Sequence, residues 1–232
     1  RVAACCVPAD LRMQRDTARF SHRFSPESGS VDVQANVYYS NSRYDNHRNT
    51  TGALYGRAEQ ATRGLDLRNT MRWTGLELVY GAEYRHDALE ARQQATPPAF
   101  WASTEQSASV LGVYAQATWT PADPWRISAG LRWDDYDLHV ESGPGAGVRS
   151  SARHASPNLS VEWQPIPPLT LRAAYAQAFR GVTIREGFFS ALYAHHGDLE
   201  GEQADNLELG IAWEHDGWFA RAIHRVPWEP QP

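Results

Sequence analysis

Two adjacent histidines, His195 and His196, are the side chains best suited to chemistry in this chain of 232 residues. A tyrosine, Tyr193, stands just before them. Imidazole is a common metal ligand, and it can also contact an anion. From the residue types alone, the pair is either solvated in a loop or in contact with an anionic ligand.

Two arginines, Arg180 and Arg185, precede these histidines. A guanidinium presents a planar fork of N–H groups that fits a carboxylate or a similar anion. Both arginines are therefore candidates for attracting an anionic ligand. The alternative is that they pair with the nearby carboxylates of Glu186 or Glu202.

Three aspartates in the stretch WDDYD, Asp134, Asp135 and Asp137, raise the question of a calcium site. Calcium takes about six to eight oxygen ligands, so the carboxylates would have to converge. In an extended strand consecutive side chains point to opposite faces, which separates Asp134 from Asp135. The spacing therefore argues against a calcium site.

The composition excludes several classes of protein. The net charge of -5 provides no basic surface for nucleic acid, so nucleic acid is not an expected partner. Mean hydropathy is -0.56, and no apolar run approaches the ~20 residues of a membrane helix. A membrane β-barrel is not excluded, because its strands are apolar on one face only. The adjacent Cys5 and Cys6 cannot form a metal site by themselves, and no cofactor is predicted.

Apolar and polar residues alternate along much of the chain. In residues 30–40, SVDVQANVYYS, one face consists of Val31, Val33, Ala35, Val37 and Tyr39. A period of two indicates a β-strand with one wet face. About ten such segments occur, from 16–24 to 217–224, each near the ~9–11 residues with which a tilted strand crosses a bilayer.

The connections between these segments are alternately short and long. The short ones contain SPESG, Thr74-Gly75, PADP, PIPP and HDG, and the long ones are predicted at about 41–62, 87–107, 137–152 and 180–203. Antiparallel strands joined up and down place all short turns at one end, as in outer-membrane barrels with periplasmic turns and extracellular loops. The sequence therefore predicts an all-β fold, an antiparallel up-and-down transmembrane β-barrel segment of about ten strands.

Tryptophans lie beside the predicted short turns. They are Trp73, Trp119, Trp125, Trp163, Trp213 and Trp218. Indole prefers the boundary between membrane and water, so these residues are interpreted as a periplasmic aromatic girdle. The alternative, the core of a soluble β-sandwich, requires neither the clustering at one end nor the alternating loop lengths. The opposite face would line a polar lumen with Arg126, Arg132, Arg172, Glu162, Glu208 and Gln116.

Three stretches of the chain resemble successive pieces of the barrel of TonB-dependent outer-membrane receptors. They are VYAQATWTPADPWRISAGLRWDDY, SPNLSVEWQPIPPLTLRAAYAQAFRGVTIREGFF and LEGEQADNLELGIAWE. The resemblance runs from about residue 16 to 224 and is strongest between 110 and 214. It implies a place in the bacterial outer membrane, in contact with its lipid, and TonB-energised import of an iron-siderophore complex, haem or cobalamin.

Two short boxes of the family have counterparts near the histidines. Phe179-Arg180-Gly181-Val182 stands where many members have Phe-Arg-Ala-Pro. Residues 196–202, HGDLEGE, stand where the family often has Asn-Pro-Asn-Leu-Lys-Pro-Glu, with outright matches at Leu199 and Glu202. In haem-importing members a histidine between the boxes coordinates the haem iron. The resemblance therefore offers His195 or His196 as a ligand of haem iron, and no metal ligand otherwise.

The departures from these boxes favour a ferric siderophore over haem as the transported ligand. They occur at Gly181, Val182, Gly197 and Gly201. The residues expected to bind the ligand are Arg180, Arg185, Tyr193, His195 and His196. Haem uptake by the same kind of receptor is the alternative.

An enzyme and a passive porin are the alternatives from other classes. His154, Ser156 and Asn158 share one strand face, as in outer-membrane phospholipases with a Ser-His-Asn site. Such a nucleophile must meet a lipid, whereas this triplet points away from the predicted apolar face. The chain is therefore not expected to be an enzyme.

The predicted division of the chain is an unassigned segment 1–15, a barrel segment 16–224 and an unassigned tail 225–232. The family's barrel has many more strands than ten and contains an N-terminal plug, which couples ligand binding to the TonB complex. No plug domain is recognised in this sequence. The chain is therefore expected to be a fragment of a larger barrel, with TonB contacted through a plug domain that this chain lacks.

Overall fold

The computed structural model describes residues 9–26, 31–95, 100–184 and 201–228. They form ten strands: β1 (Ala9–Phe24), β2 (Asp32–Arg48), β3 (Leu54–Trp73), β4 (Leu76–Ala95), β5 (Phe100–Ala122), β6 (Trp125–Ser142), β7 (Arg149–Ile166), β8 (Leu169–Arg180), β9 (Glu202–His215) and β10 (Trp218–Trp228). The part of the chain described here contains no helix long and apolar enough to cross a membrane.

The strands form a single sheet whose spatial order is the order of the sequence, from β1 to β10. Every neighbouring pair is antiparallel. This confirms the predicted all-β, up-and-down antiparallel architecture. Within the described residues β1 and β10 form the two edges, and the sheet is not closed into a barrel.

Four of the five predicted short turns lie together at one end of the sheet, called here the short-turn end. Most of the fifth, SPESG, lies outside the described residues. Strand pairs are joined at Thr74-Gly75, Asp123-Pro124, Pro167-Pro168 and Asp216-Gly217. The last of these has positive φ at both central residues, 48° at Asp216 and 80° at Gly217. Two successive positive φ angles match the right-handed twist of a β-hairpin, and Asp and Gly tolerate them better than other residues.

At the opposite end, called here the loop end, the prediction of long loops was wrong for three connections. β2 continues to Arg48 and β3 starts at Leu54, while β6 continues to Ser142 and β7 starts at Arg149. β4 continues to Ala95 and β5 starts at Phe100, so strands also occupy most of the predicted loop 87–107. The sequence lacks a long alternation there because the outer face is polar and the inner face carries only short apolar stretches, such as Leu138 and Val140. Backbone pairing nevertheless continues, supported by cross-strand ion pairs such as Arg57 with Asp45, 3.0 Å between Nη2 and Oδ2.

The outer face of the sheet carries an apolar band next to the short-turn end. On β6 its outer residues are apolar from Trp125 to Trp133 and acidic at Asp135, so the band is about nine residues long, close to the ~9–11 that cross a bilayer. Leu131 on this band is 54% exposed and Trp119 on β5 is 52% exposed. A sandwich core would bury such residues, so this exposed face fits the outer wall of a membrane barrel and not a sandwich core.

The tryptophans beside the short turns form the edge of this band. Trp125 and Trp163 are cross-strand partners, and their rings stack at 5.3 Å with an interplanar angle of 12°. Trp73, Trp119 and Trp213 are 40–52% exposed. Half-exposed indoles in one row fit the predicted aromatic girdle.

The inner face is polar in the middle of the sheet, and long side chains lie flat against it. Gly64 pairs with Tyr38, and a Cβ at Gly64 would lie 2.3 Å from the tyrosine ring. A Cβ at Gly112 would meet the guanidinium of Arg132 at the same distance. These glycines leave space for their neighbours to lie along the wall.

Candidate functional site

Of the predicted ligand-binding residues, Arg180 lies within the described part of the chain. It is the last residue of β8, it is exposed, and it stands opposite Glu202 in the register with β9. Among the described residues no ion pair joins Arg180 to a carboxylate. Arg185, Tyr193, His195 and His196 lie outside the described residues, so their roles remain predictions.

The end of β8 packs against the inner side of β6 and β7. The ring of Phe179 stacks on His154 at 4.4 Å and contacts Tyr136 edge-on at 5.8 Å. The hydroxyl of Tyr136 donates to the carbonyl oxygen of Phe179 at 3.4 Å. The first position of the Phe-Arg-Gly-Val box thus fixes the point at which the chain leaves the strand.

Gly181 has a physical reason to differ from the alanine that its counterpart has in the family. It is buried, and a Cβ built on it would lie 2.3 Å from Cγ of Tyr136. Real Cβ atoms do not approach an aromatic carbon this closely. The chain can therefore pass over Tyr136 only without a side chain at this position.

Residues 182–184 continue from Gly181 onto the inner wall. Ile184 is 6% exposed and belongs to an apolar cluster with wall residues of β3 to β6, and Val182 packs against the same cluster. The wall residues of this cluster, called here the mouth patch, are Ala58, Leu89, Ala91, Ala108, Leu138 and Val140. They lie at the loop end on the face that is polar farther down the sheet.

Two glutamines lie within or beside the mouth patch. Gln106 pairs with Leu89 on β4 and with Val140 on β6, and it is 2% exposed. Neither its Nε2 nor its Oε1 has a hydrogen-bond partner among the described residues. Gln93 is 7% exposed, and its Oε1 also has no such partner. An unpaired buried amide costs about 1–3 kcal/mol, so these side chains require an explanation other than stability.

A network centred on Asp205 ties β9 to β8 and β7. Its carboxylate accepts hydrogen bonds from Tyr175 at 2.7 Å, from Gln203 at 2.9 Å and from Gln177 at 2.9 Å. Gln177 also bonds to Nε2 of His154 at 2.8 Å. The hydrogen bond from Tyr175, together with those from the two glutamines, lowers the pKa of Asp205. The network thereby holds the ends of three strands beside Arg180.

A cavity of about 540 Å³ opens on the inner face below the mouth patch. Arg132 lies in its wall, bonded to Glu83 and to Asp134, with 2.9 Å from its Nε to Oδ1 of Asp134. Two further arginines of its lining are bonded to neutral groups, Arg15 to Ser40 and Arg19 to Asn36 and Ser21. Arg15 and Arg19 therefore form no ion pair among the described residues, although the carboxylate of Asp66 also lies in the lining and bonds to Asn36.

The alternative chemistry at His154, Ser156 and Asn158 has no support in the geometry. The ring nitrogen of His154 contacts Gln177, and Oγ of Ser156 is buried with no hydrogen-bond partner in the described residues. A hydrolase would need the serine hydroxyl within reach of the imidazole.

The aspartates of the WDDYD stretch are separated as alternation predicts. Asp134 bonds to Arg132 on the inner face, and Asp135 bonds to Arg153 on the outer face at 3.1 Å. Across the described ranges no group of histidine, cysteine, aspartate and glutamate could hold a metal ion.

Together the exposed apolar band, the row of tryptophans and the polar inner face are typical of a wall of a transmembrane β-barrel. A family model described as TonB dependent receptor-like, beta-barrel, matches residues 8–222. The chain belongs to this family of TonB-dependent receptors, whose members are barrels of the bacterial outer membrane.

Curated relatives include "Heme/hemopexin utilization protein C" of Haemophilus influenzae (strain 86-028NP), 23% identical over 208 residues. The match covers 85% of this chain and 27% of that protein, so the chain spans about a quarter of the relative's length. A second strain of H. influenzae, ATCC 51907 / DSM 11121 / KW20 / Rd, has a protein of the same name that is also 23% identical.

Similar solved structures include the copper transporter OprC, with a TM-score of 0.76, 19% identity and coverage of 93% of this chain and 38% of that one. The ferric enterobactin receptor PfeA in complex with BCV-L6 gives a TM-score of 0.74 at 18% identity, covering 94% of this chain and 35% of that one. At these identities the likeness shows the barrel fold. By their titles, the two solved structures are a copper transporter and a ferric enterobactin receptor.

Proposed function

We propose that this chain forms part of a receptor that imports an iron complex across the outer membrane, and that the complex is a ferric siderophore. In this proposal the loop end faces the cell exterior and receives the ligand. A plug domain elsewhere in the receptor couples binding to the TonB complex. The barrel and its loops bind the ligand without covalent chemistry.

The observation that carries this proposal is a set of three arginines at the loop end and in the cavity that form no ion pair among the described residues. Arg180 is exposed beside the mouth patch, and Arg15 and Arg19 line the cavity below it. Many ferric siderophore complexes are anionic, and arginine holds oxygen anions with its fork of N–H groups. A lumen that focuses positive potential raises the local concentration of such a ligand.

Haem is the second candidate, and the curated relatives favour it. The matched proteins are named for the use of haem and haemopexin. If haem is the ligand, His195 or His196 is expected to reach the iron as a neutral imidazole, and Arg180 and Arg185 are expected to contact the propionates.

Two double variants of the full-length receptor distinguish these ligands. For a siderophore, Arg180→Gln with Arg185→Gln should weaken binding of the ferric complex about tenfold or more and reduce its salt dependence, because screening acts over about 8–10 Å at physiological salt. For haem, His195→Ala with His196→Ala should abolish haem-dependent growth and the absorption band of bound haem. Binding can be measured by fluorescence titration of the purified receptor.

Each variant serves as the control for the other. Loss of haem binding in the histidine variant, with no effect of the arginine variant on any ferric siderophore, would replace the first proposal by the second. A receptor that binds neither haem nor any ferric siderophore would refute both.

A further inference from the structure

The apolar band on the outer face of the sheet ends at a definite residue on each strand. Toward the loop end, the first residues beyond the band are Arg63 on β3, His86 on β4, Ser109 on β5, Asp135 on β6 and Arg153 on β7. Lipid headgroups meet a membrane barrel where its apolar band ends. These residues therefore mark the level at which a headgroup would lie.

At this level β2, β3 and β4 carry four hydrogen-bond donors side by side. Arg63 stands directly opposite Tyr39 on one neighbouring strand and His86 on the other. Tyr84 lies two residues from His86 on the same face, diagonal to Arg63. Side chains that are opposite or diagonal in a sheet lie about 5–8 Å apart, so all four can reach one small anion. These four residues are called here the donor cluster.

The side chains of the donor cluster have no partner within the described part of the chain. Arg63 and both tyrosines are exposed, and no hydrogen bond or ion pair among the described residues involves a side chain of the cluster. The nearest outer carboxylates on β3 and β4, Glu59 and Glu90, are each four positions away. That is about 13 Å along a strand. An exposed guanidinium without a close acidic neighbour attracts an anion.

The surface next to the donor cluster, on the side of the short-turn end, is aliphatic. Leu65 is the next residue after Arg63 on this face, and Val37 and Leu111 lie in the same cross-strand row. Their side chains are 41–51% exposed. Donors beside an exposed hydrocarbon surface match a molecule with an anionic head and acyl chains.

We propose that the donor cluster binds the phosphate of a glycolipid in the outer leaflet of the membrane, whose acyl chains lie on Leu65, Val37 and Leu111. The outer leaflet of a bacterial outer membrane contains phosphorylated glycolipid, and its phosphates lie where the hydrocarbon ends. Arg63 supplies a charged fork of N–H groups, and the two hydroxyls and the imidazole N–H supply further donors. The inference uses only the part of the proposed function that places the loop end at the cell exterior, and it does not depend on the imported ligand.

Native mass spectrometry of the full-length receptor in detergent tests this contact, with diphosphoryl lipid A as the probe. Arg63→Gln should raise the dissociation constant of the lipid about tenfold, because it removes charge-assisted hydrogen bonds. Tyr39→Phe with Tyr84→Phe keeps both rings and removes only the hydroxyls, so a rise of about threefold is expected. The melting temperature without lipid should not change in either variant, which separates a lipid contact from a structural role.

The matched control is Arg153→Gln. Arg153 lies at the same level on β7, but it bonds to Asp135 at 3.1 Å and is already paired within the sheet. Its loss should change lipid binding by no more than about twofold. Dephosphorylated lipid A has the same acyl chains and is the control probe, which the unchanged receptor should bind about as weakly as the Arg63→Gln variant binds the diphosphoryl form.

The pattern of binding decides the outcome. Equal effects of Arg63→Gln and Arg153→Gln, or equal binding of the lipid with and without its phosphates, would refute the site. Inorganic phosphate that binds as tightly as the lipid, or a preference for phosphatidylglycerol, would overturn the assignment to an outer-leaflet glycolipid. A receptor that binds lipid A as expected but no ferric complex would refute the proposed function and leave this site intact.

Discussion

At the scale of single residues, the contact between Gly181 and Tyr136 determines where the connection after β8 leaves the sheet. The approach is closer than any side chain permits, and Phe179 contacts the same ring edge-on. Because Gly181 has no side chain, residues 182–184 can follow the inner wall, where Ile184 packs against the mouth patch.

Restoring the alanine that the family often has at this position should disturb the loop end. We expect Gly181→Ala to cost about 1–3 kcal/mol, because the new Cβ forces Tyr136 from its place. The measurement is the thermal unfolding of the receptor in detergent. Gly210→Ala is the control, since its Cβ would have no neighbour closer than 3.8 Å and should be tolerated.

A double variant shows whether Tyr136 is the cause. Combining Gly181→Ala with Tyr136→Ala should lose less stability than the sum of the two single changes, because the clash is absent when the ring is absent. Strict additivity would mean that the cost of the alanine arises elsewhere.

At the scale of elements, the strands reach well beyond the apolar band toward the loop end. On the outer face of β2 and β3 this extension carries two ion pairs, Arg57 with Asp45 and Arg43 with Glu59. The hydrogen bond from Arg57 lowers the pKa of Asp45, and the hydrogen bond from Asn41 lowers the pKa of Glu59. The extension is thus linked to pH through its carboxylates.

Acid should weaken this extension. A carboxylate with a lowered pKa in the folded state adds stability above its ordinary pKa of about 4, and that stability is lost as the pH falls through the folded value. Asp45→Asn should remove this part of the pH dependence and cost about 0.5 kcal/mol at neutral pH, because the pair is partly exposed and screened. Melting temperatures between pH 7 and pH 3 measure the effect.

The control is Asp137→Asn, since Asp137 is exposed on the outer face of β6 and makes no ion pair among the described residues. Equal responses of the two variants to acid would contradict the role given to Asp45.

The alternating segments and short turns were predictable because each environment favours particular residue types. The outer face of a membrane barrel is apolar, its inner face is polar, and tight turns favour Gly, Asp and Pro. Trp125, Asp216 and Gly217 carry that information locally. The extension of β2 was not predictable, because Asn41 to Asn46 are almost all polar and show no alternation. The mouth patch was missed because its members come from four strands that meet only in the folded sheet.

The end of β8 was predicted to within one residue, since the change from alternation to mixed residues marks that point. Arg180 was predicted to begin the loop and is the last residue of the strand. The sequence does not show why position 181 is a glycine, because Tyr136 is distant in sequence. Only the packing of the end of β8 against β6 brings the two residues together. The burial of Gln106 was not predictable from the sequence, since a single glutamine is an ordinary residue on a polar inner face.

At the scale of the whole molecule, the described sheet has two free edges. β1 and β10 each have one strand neighbour, and the chain covers about a quarter of the length of its curated relatives. A free edge in lipid leaves backbone groups without hydrogen bonds, which is unfavourable by several kcal/mol for each group.

The chain produced alone should therefore associate through its edges. We expect oligomers in detergent, measured by size-exclusion chromatography with light scattering, while circular dichroism still reports β-structure. A monodisperse monomer with full strand content would contradict this expectation.

Gly64 and Gly112, which lie beside Tyr38 and Arg132, affect the width of the lumen. Because Gly64 and Gly112 leave space at the wall, the tyrosine ring and the guanidinium lie along the surface and take little of the radius. Side chains standing upright on both sides of a barrel would narrow its bore by several ångströms. The width of the lumen at this level therefore depends in part on Gly64 and Gly112 having no side chain.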